Sequence, residues 1–152
     1  MHHLLLTWNP GPLDEHVFTP EAWHDALVAP YLRGEIVTTS WGVGRHVNNI
    51  EPGDVAFLYR QGRWGRGIVA RGIIRSHPWA APHWARPGGT TNHVDVEWQE
   101  SVPVEVSLDL DDLETLAPEF AWRQVYSSGR QLPAATAAKV SQDWEEHVRA
   151  VS

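Results

Sequence analysis

The sequence predicts an α+β domain, a curved and mostly antiparallel sheet with flanking helices. Three observations carry that expectation. Apolar runs of strand length recur between Gly- and Pro-based turns, one long segment alternates between apolar and polar residues, and only two substantial segments keep helical spacing.

His3 to Trp8 is apolar without alternation and stops at Asn9-Pro10-Gly11-Pro12, as expected of a strand covered on both faces. Thr19-Pro20-Glu21 reads as an N-cap, a proline at the first helical position and a first-turn acid. Trp23, Ala26 and Leu27 then share one helical face; Pro30 kinks or ends the helix and Gly34 stops it. Ile36 to Trp41 is a short β-branched strand running into Gly42-Val43-Gly44. Glu51-Pro52-Gly53-Asp54 puts Pro and Gly at the centre of a type II turn, and Val55 to Tyr59 follows as a strand apolar on both faces.

Gln61 to Gly65 connects that strand, as a hairpin, to another over Gly67 to Ser76, where Gly67 and Gly72 predict bends or bulges. His77 to Thr91, rich in Pro, Trp and Gly, is expected to be a loop. Beyond it Val94, Val96, Trp98, Val102, Val104 and Val106 are apolar and the residues between them mostly polar, the period of a long strand with one buried face. Pro103 predicts an edge position or a break into two strands. Leu110 to Leu116 makes a short helical turn ahead of Pro118. From Leu132-Pro133 the tail is a helix with Ala137, Val140, Trp144 and Val148 on one face and Glu145 and Arg149 as an i,i+4 pair.

A length of 152 residues with 42% hydrophobic and 20% charged residues is expected to form a single domain over 1–152. The absence of cysteine excludes disulfides and thiolate metal sites. No apolar run approaches the length of a membrane span, and the expected location is the cytoplasm. The net charge of −7 opposes bulk attraction to nucleic acid, but it is unevenly spread. Residues 45–86 hold seven arginines against two acids, whereas residues 91–152 hold four basic residues against twelve acids. A local positive face can engage a few phosphates on an otherwise acidic protein.

No catalytic constellation is present. His77 and His83 lack a third ligand, the acids from Asp109 to Glu114 lack calcium-loop spacing, and Gly42 and Gly44 lack the third glycine of a dinucleotide fingerprint. The expectation is a protein without metal, cofactor or catalytic activity of its own. The nine tryptophans need another account, because several stand in loops beside Pro and Gly rather than at core spacing.

Six segments, in order, supply one: Leu6-Thr7-Trp8-Asn9-Pro10, Ser40-Trp41-Gly42-Val43-Gly44, Glu51 to Leu58, Gly67-Ile68-Val69-Ala70-Arg71-Gly72, Val94 to Trp98, and Ser128-Gly129-Arg130-Gln131-Leu132-Pro133. Together they resemble the EVE domains of the PUA-like superfamily, relatives of the YTH domains, over nearly the whole chain. The resemblance implies a PUA-like barrel and a reader of a modified base. Such domains are associated with 5-methyl- or 5-hydroxymethylcytosine in DNA, as sensors in restriction enzymes whose HNH nuclease is a separate domain, in cis or in trans.

A modified base within a duplex must be turned out to be read, at a cost of roughly a few kcal/mol that stacking in an aromatic pocket must return. Trp41 matches the cage tryptophan of the related domains, and the resemblance places the second wall in the 77–91 loop, at Trp79 or Trp84. Trp8 and Asn9 follow the first strand, with the Asn9 amide suited to a base edge, and Gly42 offers unshielded backbone. Arg45, Arg63, Arg66, Arg86 and Arg130 are the candidate phosphate contacts, with Trp64 between Arg63 and Arg66 as an aromatic finger. Arg71 and Arg75 are expected to pair with Asp95 or Glu97 across the sheet. Two rival readings are an RNA module recognising N6-methyladenosine or structured RNA, and a small-molecule or nucleoside binder.

Overall fold

The structure, a computed structural model, describes residues 1–9, 19–62, 65–83 and 87–151. Arg63, Trp64, Trp84 and Arg86 lie outside them. The fold is α+β: a curved, mostly antiparallel half-barrel flanked by helices. Strands β1 (His3–Trp8), β2 (Val37–Gly44), β3 (Val55–Arg60), β4 (Gly67–Ile74), β5 (Trp79–Pro82), β6 (Thr90–Ser101), β7 (Leu108–Asp109) and β8 (Arg130–Gln131) form one sheet. Its order is β2-β6-β4-β3-β1-β8, with β5 added to β6 and β7 to β4. Among the described residues β1 and β3 are the one parallel pair, from His3↔Val55 to Trp8↔Arg60. That pairing buries both, which is why their sequences are apolar without alternation.

The sheet curves where glycine permits it. The β4–β6 register shifts between Arg71 and Gly72, and a Cβ on Gly72 would stand 2.6 Å from Val96 Cγ1 and 2.8 Å from the Glu97 carbonyl. At the turn before β3, Gly53 takes φ +97° and the Asp54 N–H donates to the Glu51 carbonyl at 3.1 Å, as the Pro-Gly pair predicts.

Helix α1 (Pro20–Trp23) starts where the capping residues put it, with Thr19 Oγ1 accepting from the Ala22 N–H at 3.1 Å. It passes through a π-helical turn (His24–Val28) into α2 (Ala29–Leu32). Pro30 has no N–H to continue the α-helical ladder, and the Ala29 N–H reaches back to the His24 carbonyl instead. Helix α3 (Leu110–Leu116) and the long helix α4 (Ala134–Val151) complete the fold, with Ala137, Val140 and Trp144 buried.

Several expectations change. The 77–91 segment contains β5, held to β6 by backbone pairing. The long alternating strand ends at Ser101; Val104–Val106 is a 3-10 turn, with Val106 exposed. Arg75 pairs with Glu97 as expected, but Arg71 pairs with Glu100 and with Glu145, which binds this arginine rather than Arg149.

Candidate nucleic-acid interface

Strand β8 is only two residues long, pairing with Leu4 and Leu5, so the outer edge of β1 runs on past it. An open edge leaves peptide groups that need partners. Thr7 finds both of its own. Its N–H donates to Ser128 Oγ at 3.1 Å, and its carbonyl accepts from the Trp41 indole N–H at 2.9 Å. Trp41, near the end of β2, thus bridges to β1 and helps close the half-barrel.

The loop carrying Ser128 is tied down along its length. The Val125 carbonyl accepts from Gln61 Nε2 at 3.0 Å, Ser127 Oγ and His46 Nε2 share a 3.0 Å hydrogen bond, and the Gly129 N–H donates to the Leu5 carbonyl at 3.0 Å. Gly129, at φ +97°, lies so close to β2 that a Cβ there would meet Val43 Cβ at 3.0 Å. The ends of β1 and β2 and the 125–130 segment therefore converge on Trp41.

Trp41 is half-buried. Its ring sits edge-on to Trp98, centroids 6.0 Å apart at 86°; Trp98 meets Trp23 at 6.4 Å, and Trp23 meets Trp8 at 5.0 Å. This chain of indoles runs from the surface into the core, and at its deep end Trp8 is 2% exposed. Trp8 therefore packs in the core. Gly42, beside Trp41, is uncrowded: a Cβ there would touch only the Asn92 carbonyl, at 4.0 Å.

Register separates the other candidates. Trp41 pairs with Val94, which faces the core, whereas Trp79 pairs with His93, the next residue of β6. Successive side chains of a strand point to opposite faces. Trp79 accordingly stacks on His93 at 5.3 Å and donates to Asp95 Oδ1 at 3.2 Å on the far face of the sheet. It does not stand across a slot from Trp41. Burial pulls the His93 imidazole below its ordinary pKa, and its Nδ1 is buried without a partner. Asn9 is exposed and its carboxamide packs on Gly62, beside the 61–66 connection.

The arginines divide by partner. Arg33, Arg71, Arg75 and Arg123, with Lys139, form carboxylate ion pairs. Among the described residues, no carboxylate pairs with Arg45, Arg66 or Arg130. Arg45 is exposed in the turn after β2; Arg66 donates to the Trp122 carbonyl at 3.3 Å; the Arg130 guanidinium lies 4.5 Å over the Phe120 ring. Unneutralised guanidiniums are available to phosphate. A separate cleft of about 380 Å³, between α1 and the 103–105 segment, is lined by Glu21, Asp25 and Glu105 and would repel it.

No group of three or more potential metal ligands occurs among the described residues, and no described helix is long and apolar enough to cross a membrane. Tyr126, which the sequence did not single out, is 86% exposed on the pinned loop. An aromatic directly before Ser-Ser-Gly-Arg was the available signal.

No family model matches the chain, and no curated protein matches it in sequence. Solved structures do match. A hypothetical protein from Leishmania major is 16% identical with a TM-score of 0.65, covering 96% of both chains. A Pseudomonas syringae protein is 16% identical with a TM-score of 0.62, over 92% of this chain and 97% of that one. Human THYN1, solved in complex with DNA containing 5-methylcytosine, is 15% identical with a TM-score of 0.60, over 91% and 98%. In architecture, then, this chain shares its curved half-barrel fold with human THYN1 and with these other proteins.

Proposed function

We propose that this protein reads a modified base in DNA, taking one flipped 5-methyl- or 5-hydroxymethylcytosine against the Trp41 ring, and performs no chemistry on it. The observation that carries the reading is the half-buried Trp41 indole at the closure of the barrel, beside uncrowded Gly42 and the guanidinium of Arg45, which no carboxylate pairs among the described residues. The ring offers a stacking face, the Gly42 backbone offers hydrogen bonds to the base edge, and Arg45, Arg66 and Arg130 supply charge for the phosphates. The shared fold with human THYN1, solved on 5-methylcytosine DNA, supports the same reading. Trp84, outside the described residues, is the sequence candidate for the facing wall. In this proposal the protein is the sensing part of a modification-dependent restriction system, with an HNH nuclease acting in cis or in trans.

The test is a binding panel of otherwise identical duplexes carrying C, 5-methylcytosine, 5-hydroxymethylcytosine, A or N6-methyladenine, with matched RNA and the free nucleosides as competitors. Preference for a modified cytosine in DNA is expected. Tighter binding to RNA, or equal binding of a free nucleoside, overturns the proposal.

A further inference from the structure

Tyr126 is 86% exposed, between Val125, which is fully buried, and the anchored Ser127-Ser128-Gly129 turn. Exposed aromatics are rare here. Among the described Phe, Trp and Tyr residues the other is Trp79, at 40%, and that ring is already stacked on His93 and bonded to Asp95. Among the described residues the Tyr126 side chain has no hydrogen bond or ring contact, so nothing within the described fold accounts for a large aromatic side chain at this position.

The backbone that carries it is held on both sides by Gln61, His46, Thr7 and Leu5. Ser128 accepts from the Thr7 N–H and Trp41 donates to the Thr7 carbonyl, so the loop bearing Tyr126 and the indole are built on one residue. A ring on a preordered loop loses little further freedom when it is inserted somewhere, which is the property of a wedge.

We propose that Tyr126 enters the base stack of a duplex and fills the gap left by the nucleotide turned out beside Trp41. The proposal rests on the reader function above. Removing a base from a helix forfeits its stacking on both neighbours, and an aromatic ring in the vacated space restores part of it. The role belongs to double-stranded substrate alone, because a single strand has no gap to fill.

The experiment compares binding of the full chain to a duplex with one 5-methylcytosine and to the same modified strand unpaired. Tyr126→Ala, at so exposed a position, is expected to keep the wild-type denaturation midpoint. It should weaken duplex binding roughly 10-fold and leave single-strand binding unchanged, with Tyr126→Phe close to wild type. Three outcomes overturn the wedge while leaving the reader standing: no loss on the duplex, an equal loss on both substrates, or a Phe variant as weak as Ala. A wild-type protein that fails to distinguish modified from plain duplex removes the reader, and the wedge with it.

Discussion

Replacing Trp41 by alanine strikes both the role that the structure gives this ring and the one proposed for it, and the two losses can be measured separately. In the fold, the variant loses the hydrogen bond to the Thr7 carbonyl, worth about 1 kcal/mol net. It also loses the edge contact with Trp98, worth about 0.5–1.5 kcal/mol. With the half-buried area added, stability should fall by about 3 kcal/mol, the lower end of the range for deleting an indole from a core. In binding, a lost stacking face costs about 1–3 kcal/mol per base, or roughly 5- to 150-fold in affinity, charged to modified DNA. Trp41→Phe separates the roles. It gives up the indole N–H, and with it about 1 kcal/mol of stability, but keeps a stacking face and most of the discrimination. Urea denaturation would report the first loss, and fluorescence anisotropy on paired modified and unmodified duplexes the second. A folded Trp41→Ala variant that still prefers modified DNA as strongly as wild type refutes the reasoning and takes Trp41 out of the site.

Substituting Gln at Arg45, Arg66 and Arg130 should weaken modified and plain duplexes alike. Each phosphate contact removed should lower the slope of log K against log salt by about 0.9; an unaltered slope excludes that arginine from the interface. Gly72→Ala forces a methyl group against Val96 and the Glu97 carbonyl at the bend of the sheet. It should cost about 2–3 kcal/mol in urea denaturation, and wild-type stability would show that the close approach is not needed. Burial lowers the pKa of both His3 and His93 from the ordinary 6.5, so the unfolded chain binds more protons than the native one as the solution becomes acid. Stability should be full above pH 6.5 and decline below it, before the paired carboxylates titrate. Denaturation midpoints at pH 7.5 and 5.5 check this, and an equal or higher midpoint at the lower pH contradicts it.

Where a local signal ends an element, the sequence was enough. Asn9-Pro10 follows β1 at its observed end, Thr19-Pro20 opens α1, and Leu110 to Leu116 matches α3 residue for residue. β5 was not legible because Trp79-Ala80-Ala81-Pro82 has no alternation; its place comes from backbone pairing at an edge of β6. Val104 and Val106 kept the apolar pattern of a strand, but Pro103 broke the ladder and the chain turned. The site shows the same division. Trp41 and the Ser-Gly-Arg segment became candidates through the resemblance to EVE domains, and Gly42 through its place beside Trp41. The side of β6 on which Trp79 falls depends on register, which composition does not encode. Nor does the sequence reveal that Thr7 joins Trp41 to Ser128, since that follows from how soon β8 stops.

The strand order has a further consequence for the nascent chain. β1 precedes every other strand of the sheet, yet its neighbours are β3, some fifty residues on, and β8, at residues 130–131. Contacts so distant along the chain form slowly, and during translation one flank of β1 has no partner until the ribosome has released residue 131. The hydrogen bond from the Thr7 N–H to Ser128, beside Trp41, depends on that same late event. Forms that lack residues 128–131 should therefore keep much of the sheet while lacking the loop beside Trp41, so that binding by the proposed site would report complete folding more stringently than secondary-structure content does.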